Sequence, residues 1–229
     1  MASLSGLWPA IGRQLQNPSG LGGRLLGVLL GLANRDSNRL AIDALKIAPN
    51  DTILELGFGS GRALKTLAAL APDGCVLGID HSAAMLAQAA RFNLNDVRKG
   101  RVFLLRGRFD ALPCRAESFD KILAVHVTYF AGVEDICEAR RVLRPGGSMV
   151  VLATDKSVMC RWKFTQETHR LYDQDELAAL LMGGGFANRE IGVLNIKLMS
   201  GTPGLLAIAR KPGGSSWQAA EKLHELSSS

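Results

Sequence analysis

Strands and helices alternate along most of this chain, and the alternation predicts a doubly wound α/β fold on a mostly parallel sheet. Three observations carry that expectation. Short apolar runs of strand length recur at 52–56, 75–80, 102–105, 119–126 and 148–153. Segments of helical periodicity lie between several of them, at 62–70, 83–93 and 133–143. The first run, Thr52-Ile53-Leu54-Glu55-Leu56, opens directly into Gly57-Phe58-Gly59-Ser60-Gly61, with glycine at every second position. A strand, glycine turn and helix in that order let backbone approach a ligand at a helix N-terminus.

Each element has its own signal. Cys75 to Asp80 is a short apolar strand ending in an acid, and Ser82 is suited to cap the helix that follows. Val102 to Leu105 makes a third strand and Phe119 to His126 a fourth. The helix from Val133 to Leu143 meets Pro145-Gly146-Gly147, which stops it before a fifth strand, Ser148 to Ala153. Beyond this the pattern changes. Asp173 to Leu181 is helical and ends at Gly183-Gly184-Gly185, and two further strands, Arg189 to Leu198 and Leu205 to Arg210, are separated by Ser200-Gly201-Thr202-Pro203-Gly204. So short a connection predicts antiparallel pairing. In open sheets of this kind ligands sit beyond the carboxyl ends of the strands, where strand order reverses.

Size and composition narrow the classes of function. A chain of 229 residues, 47% hydrophobic and 21% charged, is long enough to bury a full core and too apolar for a disordered one. Cys75, Cys114, Cys137 and Cys160 lie far apart, with no histidine at ligand spacing. Reduced core thiols are therefore expected, with no metal site and no disulfide framework. No secretory signal pattern is visible, which predicts a cytoplasmic location. The net charge of +6 comes from scattered residues and from two clusters, Arg98 to Arg108 and Arg140 to Arg144. Neither is interleaved with aromatics, so no nucleic-acid partner is expected; solvated faces, an anionic membrane surface or an acidic substrate remain.

A glycine loop followed by a strand-terminal acid suits two kinds of nucleotide. A dinucleotide fingerprint starting at Gly57 or Gly59 needs glycine at 62 or 64, where the chain has Arg62 and Leu64. Glu55 with Gly57, Gly59 and Gly61 instead resembles motif I of the class I S-adenosylmethionine-dependent methyltransferases, Glu/Asp-x-Gly-x-Gly-x-Gly. Three further segments resemble the same family in order: Gly78 to Leu86, Gly107 to Pro113 with Ser118-Phe119-Asp120 after it, and Arg140 to Gly147.

The resemblance implies a Rossmann-like, seven-stranded sheet with a reversed last hairpin, and S-adenosyl-L-methionine as donor, leaving S-adenosyl-L-homocysteine. It implies a donor site at Glu55, Gly57, Phe58, Gly59, Gly61, Asp80, His81, Arg108, Phe109 and His126. Asp80 would accept from the ribose hydroxyls, while Glu55 would either orient the loop through backbone amides or reach the methionyl ammonium through water. One position departs from the pattern. Many relatives have an acid directly after the glycine of the adenine-side loop, where this chain has Arg108; a backbone contact near Phe109 is expected there instead. His126 and Tyr129 should face the methyl end, with His126 as a general base or as a wall of the pocket.

The acceptor must be sought outside the shared core. Residues 1–48 read as a helical, substrate-facing segment, 49–211 as the methyltransferase domain, and 212–229 as a peripheral tail with a short helix. Leu4, Leu7, Trp8, Ile11 and Leu15 share a helical face, and 21–32 is almost wholly apolar with a ridge of Gly23, Gly27 and Gly31. That stretch is too short to span a bilayer and is interrupted by Arg24. It can roof a pocket for a small apolar acceptor. It can equally rest on a membrane surface in a phospholipid head-group N-methyltransferase, or join two copies of a non-catalytic nucleotide-binding module.

Overall fold

A computed structural model describes residues 34–127, 132–163, 165, 169–198 and 201–213. The first helix, α1 (Arg35–Leu45), leads to β1 (Thr52–Leu56), α2 (Arg62–Leu70), β2 (Cys75–Asp80), α3 (Ala83–Phe92), α4 (Leu94–Arg98) and β3 (Val102–Arg106). The second half comprises β4 (Phe119–Val125), α5 (Val133–Val142), β5 (Leu143–Thr154), α6 (Lys156–Met159), α7 (Gln174–Gly183), β6 (Ile191–Lys197) and β7 (Pro203–Arg210). The sheet has seven strands in the order β3-β2-β1-β4-β5-β7-β6. All pairs are parallel as far as β5, and β7 runs antiparallel to both β5 and β6. The predicted doubly wound sheet with a reversed last hairpin is the observed one.

Alternation along the strands sorts the core into two layers. Ile53, Val76, Leu123, Val150 and Leu152 face α1, α2 and α3, where Ala41, Ile42, Leu45, Leu64, Leu67 and Ala89 cover them. Leu54, Leu56, Ile79, Ile122, Ala124 and Val151 face α5 and α7, against Ile136, Ala139, Leu177 and Leu181. Both faces of the central strands are buried, which is why those strands read as continuous apolar runs. Ser82 caps α3 as its sequence position predicts, its Oγ accepting from the Met85 amide at 3.3 Å.

Helix α1, within the 1–48 segment read as helical, buries Ala41, Ile42 and Leu45 in the core against β4 and β5. Two features differ from the sequence reading. Strand β5 starts at Leu143, running through Pro145-Gly146-Gly147 instead of after it. The cysteines are free, and they are not all core thiols: Cys114 is half-buried and packs against the core, Cys75 is half-buried, and Cys137 and Cys160 are exposed. No helix among the described residues is long and apolar enough to cross a membrane. The expectations for residues 4–32 and for the tail beyond 213 fall outside the described residues.

Candidate active site

Strand order reverses between β1 and β4: the chain moves outward from β1 through β2 to β3, then returns to β4 on the other side. The loops that leave β1 and β4 therefore part at this point and open a crevice beyond the strand ends. Gly57 to Gly61 leaves β1 on one side of this point, and His126-Val127 leaves β4 on the other.

The three loop glycines each have positive φ, for different reasons. At Gly57 (φ 70°) a Cβ would lie 2.1 Å from Val127 Cγ1, so the loop presses against the β4 exit. At Gly61 (φ 78°) it would lie 2.6 Å from Asn93 Nδ2 and 2.7 Å from Ala89 Cβ, so the start of α2 packs directly on α3. At Gly59 (φ 51°) it would meet no atom within 4 Å among the described residues. Gly59 is the point where the loop turns bare backbone to open space.

The loop is held by hydrogen bonds from outside it. Gly57 donates its amide to the Ile79 carbonyl at 2.7 Å, and Gly59 donates to Asp80 Oδ2 at 2.9 Å. Asn93 Nδ2 donates to the Gly61 carbonyl at 2.9 Å and to the Ala89 carbonyl at 3.0 Å. Asp80 Oδ1 accepts from the Ser82 amide at 2.9 Å, so one carboxylate ties the glycine loop to the start of α3. The His81 amide also acts on this carboxylate, and the acceptor capacity that remains can take a further donor. Burial nonetheless raises the Asp80 pKa.

Glu55 lies near the end of β1 and is buried, its Oε2 atom without a hydrogen-bond partner among the described residues. Burial, and then the nearby Asp80 charge, push its pKa up to about 8. The amides of Gly57, Gly59 and Gly61 are taken by Ile79, Asp80 and Phe58, so Glu55 is not their acceptor. An orphaned carboxylate oxygen in a buried position is costly, and at such a place it signals a missing partner.

The other expected site residues divide. The Phe58 ring is buried in the α1–α3 layer, packed where a Cβ on Gly78 would fall 2.6 Å from it, so only its main chain can face the crevice. His81 stays near the site, its Nδ1 3.9 Å from Asp80 Oδ1. Arg108 is turned to solvent with 80% of its side chain exposed and is paired with Asp110, so it offers no carboxylate-like contact to a nucleobase. Phe109 packs on the α5 face, its ring 3.7 Å from the position of a Gly57 Cβ, which puts it at the crevice wall. Tyr129 lies outside the described residues.

His126 follows β4 with φ 56°, a left-handed conformation uncommon for a side chain larger than glycine. Its amide donates to the Leu152 carbonyl at 2.8 Å, and its Nε2 lies 3.0 Å from Ser37 Oγ on α1. The residue as a whole is partly accessible, but burial of the ring pushes its pKa down to about 4. Ser37 and Asn93 were not apparent as site residues in the sequence. Asn93 sits at the end of α3, where asparagine is a common helix terminator, and only the fold shows what its amide holds.

A family model described as a methyltransferase domain matches residues 53–147, which contain the glycine loop, Asp80 and the β4 exit. An S-adenosylmethionine-dependent methyltransferase from Aquifex aeolicus has the same fold, with a TM-score of 0.61 over 88% of this chain and 98% of that one at 17% identity. The fold is that of the class I S-adenosylmethionine-dependent methyltransferases, and the chain is similar to that family over residues 53–147. Among curated relatives, the uncharacterized methyltransferase YdaC of Bacillus subtilis is 29% identical over 175 residues, 76% of this chain and 92% of YdaC. A demethylmenaquinone methyltransferase of Tropheryma whipplei is 34% identical over 128 residues, spanning 54% of this chain and 50% of that methyltransferase. That match covers only half of the second relative, so its substrate is a property of that enzyme alone.

Proposed function

We propose that this methyltransferase binds S-adenosyl-L-methionine in the crevice between the β1 and β4 loops and methylates a small, apolar acceptor. The observation that carries the donor reading is the Glu55 Oε2, buried without a partner among the described residues near the end of β1, just before a loop whose central glycine faces open space. The residues present fit such a donor: an acid for an ammonium, a second acid for a vicinal diol, and bare backbone between them. S-adenosyl-L-methionine, when bound, supplies an activated methyl group on a sulfonium, which an acceptor displaces in line to leave S-adenosyl-L-homocysteine.

The tasks of the chain's own residues follow from their places. Glu55 would accept from the donor's ammonium and Asp80 from its hydroxyls, through the acceptor capacity not already given to Gly59, Ser82 and His81. Gly59 admits the ligand against its main chain, and Phe109 with Val127 walls the crevice beside Gly57. Since the donor carries its own activation, alignment and exclusion of water make up most of the remaining work. The acceptor class rests on the almost wholly apolar sequence of residues 21–32. The likeness to a demethylmenaquinone methyltransferase supports an apolar acceptor.

Isothermal calorimetry tests the donor. Both sulfur nucleotides are expected to bind at least about 100-fold more tightly than NAD, a difference of about 2.7 kcal/mol. Absence of binding by either would remove the reading. Flotation with anionic liposomes tests the acceptor class: the full chain should stay with the soluble fraction, and co-flotation would point to lipid head groups.

For His126 the geometry favours a positioning role. A conjugate acid near pH 4 makes a neutral but weakly basic imidazole at pH 7, well below the value that serves a general base. His126→Gln, which retains a group able to bond Ser37, should keep kcat within a few-fold between pH 6 and 9. A fall of two orders of magnitude, with donor affinity unchanged, would return the base to His126.

A further inference from the structure

Strand β3 ends the sheet and pairs only with β2 among the described residues. Val76 donates to the Arg101 carbonyl, and Gly107 donates to the Asp80 carbonyl. In a parallel ladder the odd-numbered residues from 101 to 107 therefore turn their main chain toward β2, and Val102, Leu104 and Arg106 turn theirs outward. The outer edge offers a row of amides and carbonyls. One face of the strand is covered, because Val102 and Leu104 pack into the α1–α3 layer. The other face carries Phe103, 50% exposed, and Leu105, 40% exposed, two residues apart on the same side. The chain passes from β3 to β4 by the loop 107–118 with no helix, so nothing in that crossover shields the pair.

Natural edges are usually blunted by short strands, bulges or inward charges, and this one has an apolar pair instead. Its surroundings are basic. From residue 94 to 110 there are five basic side chains against two acidic ones, a net +3 out of +6 for the whole chain. Asp96 and Asp110 are themselves taken by Arg101 and Arg108, so Arg98, Lys99 and Arg106 supply the excess.

We propose that the open edge of β3 docks an extended, acidic and apolar segment of another protein, which adds to the sheet as a further strand. Main-chain pairing to Val102, Leu104 and Arg106 would supply register, the Phe103–Leu105 face would supply an apolar contact, and the basic flanks would select acidic sequence. A second copy of this chain fits poorly, because the same net positive flanks would meet across the two-fold axis. The Phe103–Leu105 face is made of residues not assigned to the donor, and although Arg106 beside it donates its Nε to the His81 carbonyl at 3.0 Å, the proposal does not rest on the donor or acceptor readings.

A fluorescently labelled peptide of alternating isoleucine and valine flanked by two acidic residues at each end is the probe, titrated against the full chain by anisotropy. Two controls share its composition otherwise: one with lysine in place of each acid, one N-methylated at every second amide along one edge. Binding by the acidic peptide at least about tenfold tighter than either control, lost at least about tenfold in Phe103→Ser/Leu105→Ser, is the expected result. That double variant should keep the wild-type circular dichroism and S-adenosyl-L-homocysteine affinity. The proposal is overturned if the acidic peptide does not bind at about 1 mM, or if all three peptides bind alike. It is also overturned if binding appears only after residues 214–229 are removed, or if the full chain sediments as a dimer that the double variant dissociates.

Discussion

Replacing Glu55 with glutamine is expected to stabilise the ligand-free protein while weakening its hold on S-adenosyl-L-methionine. The two effects share one cause. Burial and the Asp80 charge raise the Glu55 pKa from an ordinary 4.5 to about 8, so the empty fold disfavours the ionised carboxylate that a cationic ligand needs. Between those values the folded chain keeps a proton that the unfolded chain releases, and its stability falls as pH rises from about 4.5 to about 8. This is opposite in sign to the usual salt-bridged carboxylate. Glutamine carries no such proton, so the Tm gain of Glu55→Gln over wild type should be near zero at pH 4.5 and largest above pH 8. For a chain of this length each kcal/mol corresponds to about 2–4 °C.

The binding half of the prediction follows from the same proton. An ion-paired hydrogen bond to a charged group is worth about 1.5–3 kcal/mol, so Glu55→Gln should weaken donor binding about 10- to 100-fold. At pH 6.5 the wild-type chain must release about one proton from Glu55 to accept the ammonium, and the variant releases none. Calorimetry in two buffers of different ionisation enthalpy measures that number directly. If wild type and variant release the same number of protons, Glu55 is not the ammonium's partner.

The sequence was most informative where local chemistry and the fold agree. Helix α2 follows the glycine loop over the range its periodicity predicts, Ser82 caps α3, and the acid ending β2 lies beside the loop. The family's motifs are legible because each glycine is fixed by a backbone requirement, which leaves its mark on one residue at a time. What was not legible depends on distant partners. Nothing in Ser37 marks it as the neighbour of a histidine 89 positions away, and Asn93 looks like an ordinary helix end until Gly61 is packed against it. Helix α1 falls within the segment read as helical, but which of its residues pack on the sheet is not legible, because Ala41, Ile42 and Leu45 stand among Arg35, Asp36, Asn38, Arg39 and Asp43. Phe58 stands inside the motif but belongs to the core, since a position within a binding loop does not say which way its side chain turns.

The loop glycines should separate stability from binding when each is changed to alanine. Gly61→Ala places a methyl group 2.6 Å from Asn93 Nδ2 and 2.7 Å from Ala89 Cβ at φ 78°, where neither the buried amide nor the α3 backbone can withdraw without opening the helix contact. Overpacking costs about 1–3 kcal/mol and the left-handed conformation about 1–2 more, a large part of a typical domain's 5–15 kcal/mol. Gly57→Ala meets Val127 Cγ1 at 2.1 Å, and the companion change Val127→Ala removes that atom, so the double variant should recover part of the lost stability. Gly59→Ala meets nothing among the described residues, and its cost should be limited to the left-handed strain of about 1–2 kcal/mol. Its methyl group stands in the space that the ligand would occupy, so it should lose at least about tenfold in S-adenosyl-L-homocysteine affinity while remaining folded. Urea denaturation and calorimetry on the three variants give both quantities. Donor affinity within twofold of wild type in Gly59→Ala would mean that the ligand does not approach the loop at its one open position, and the crevice would have to be reassigned.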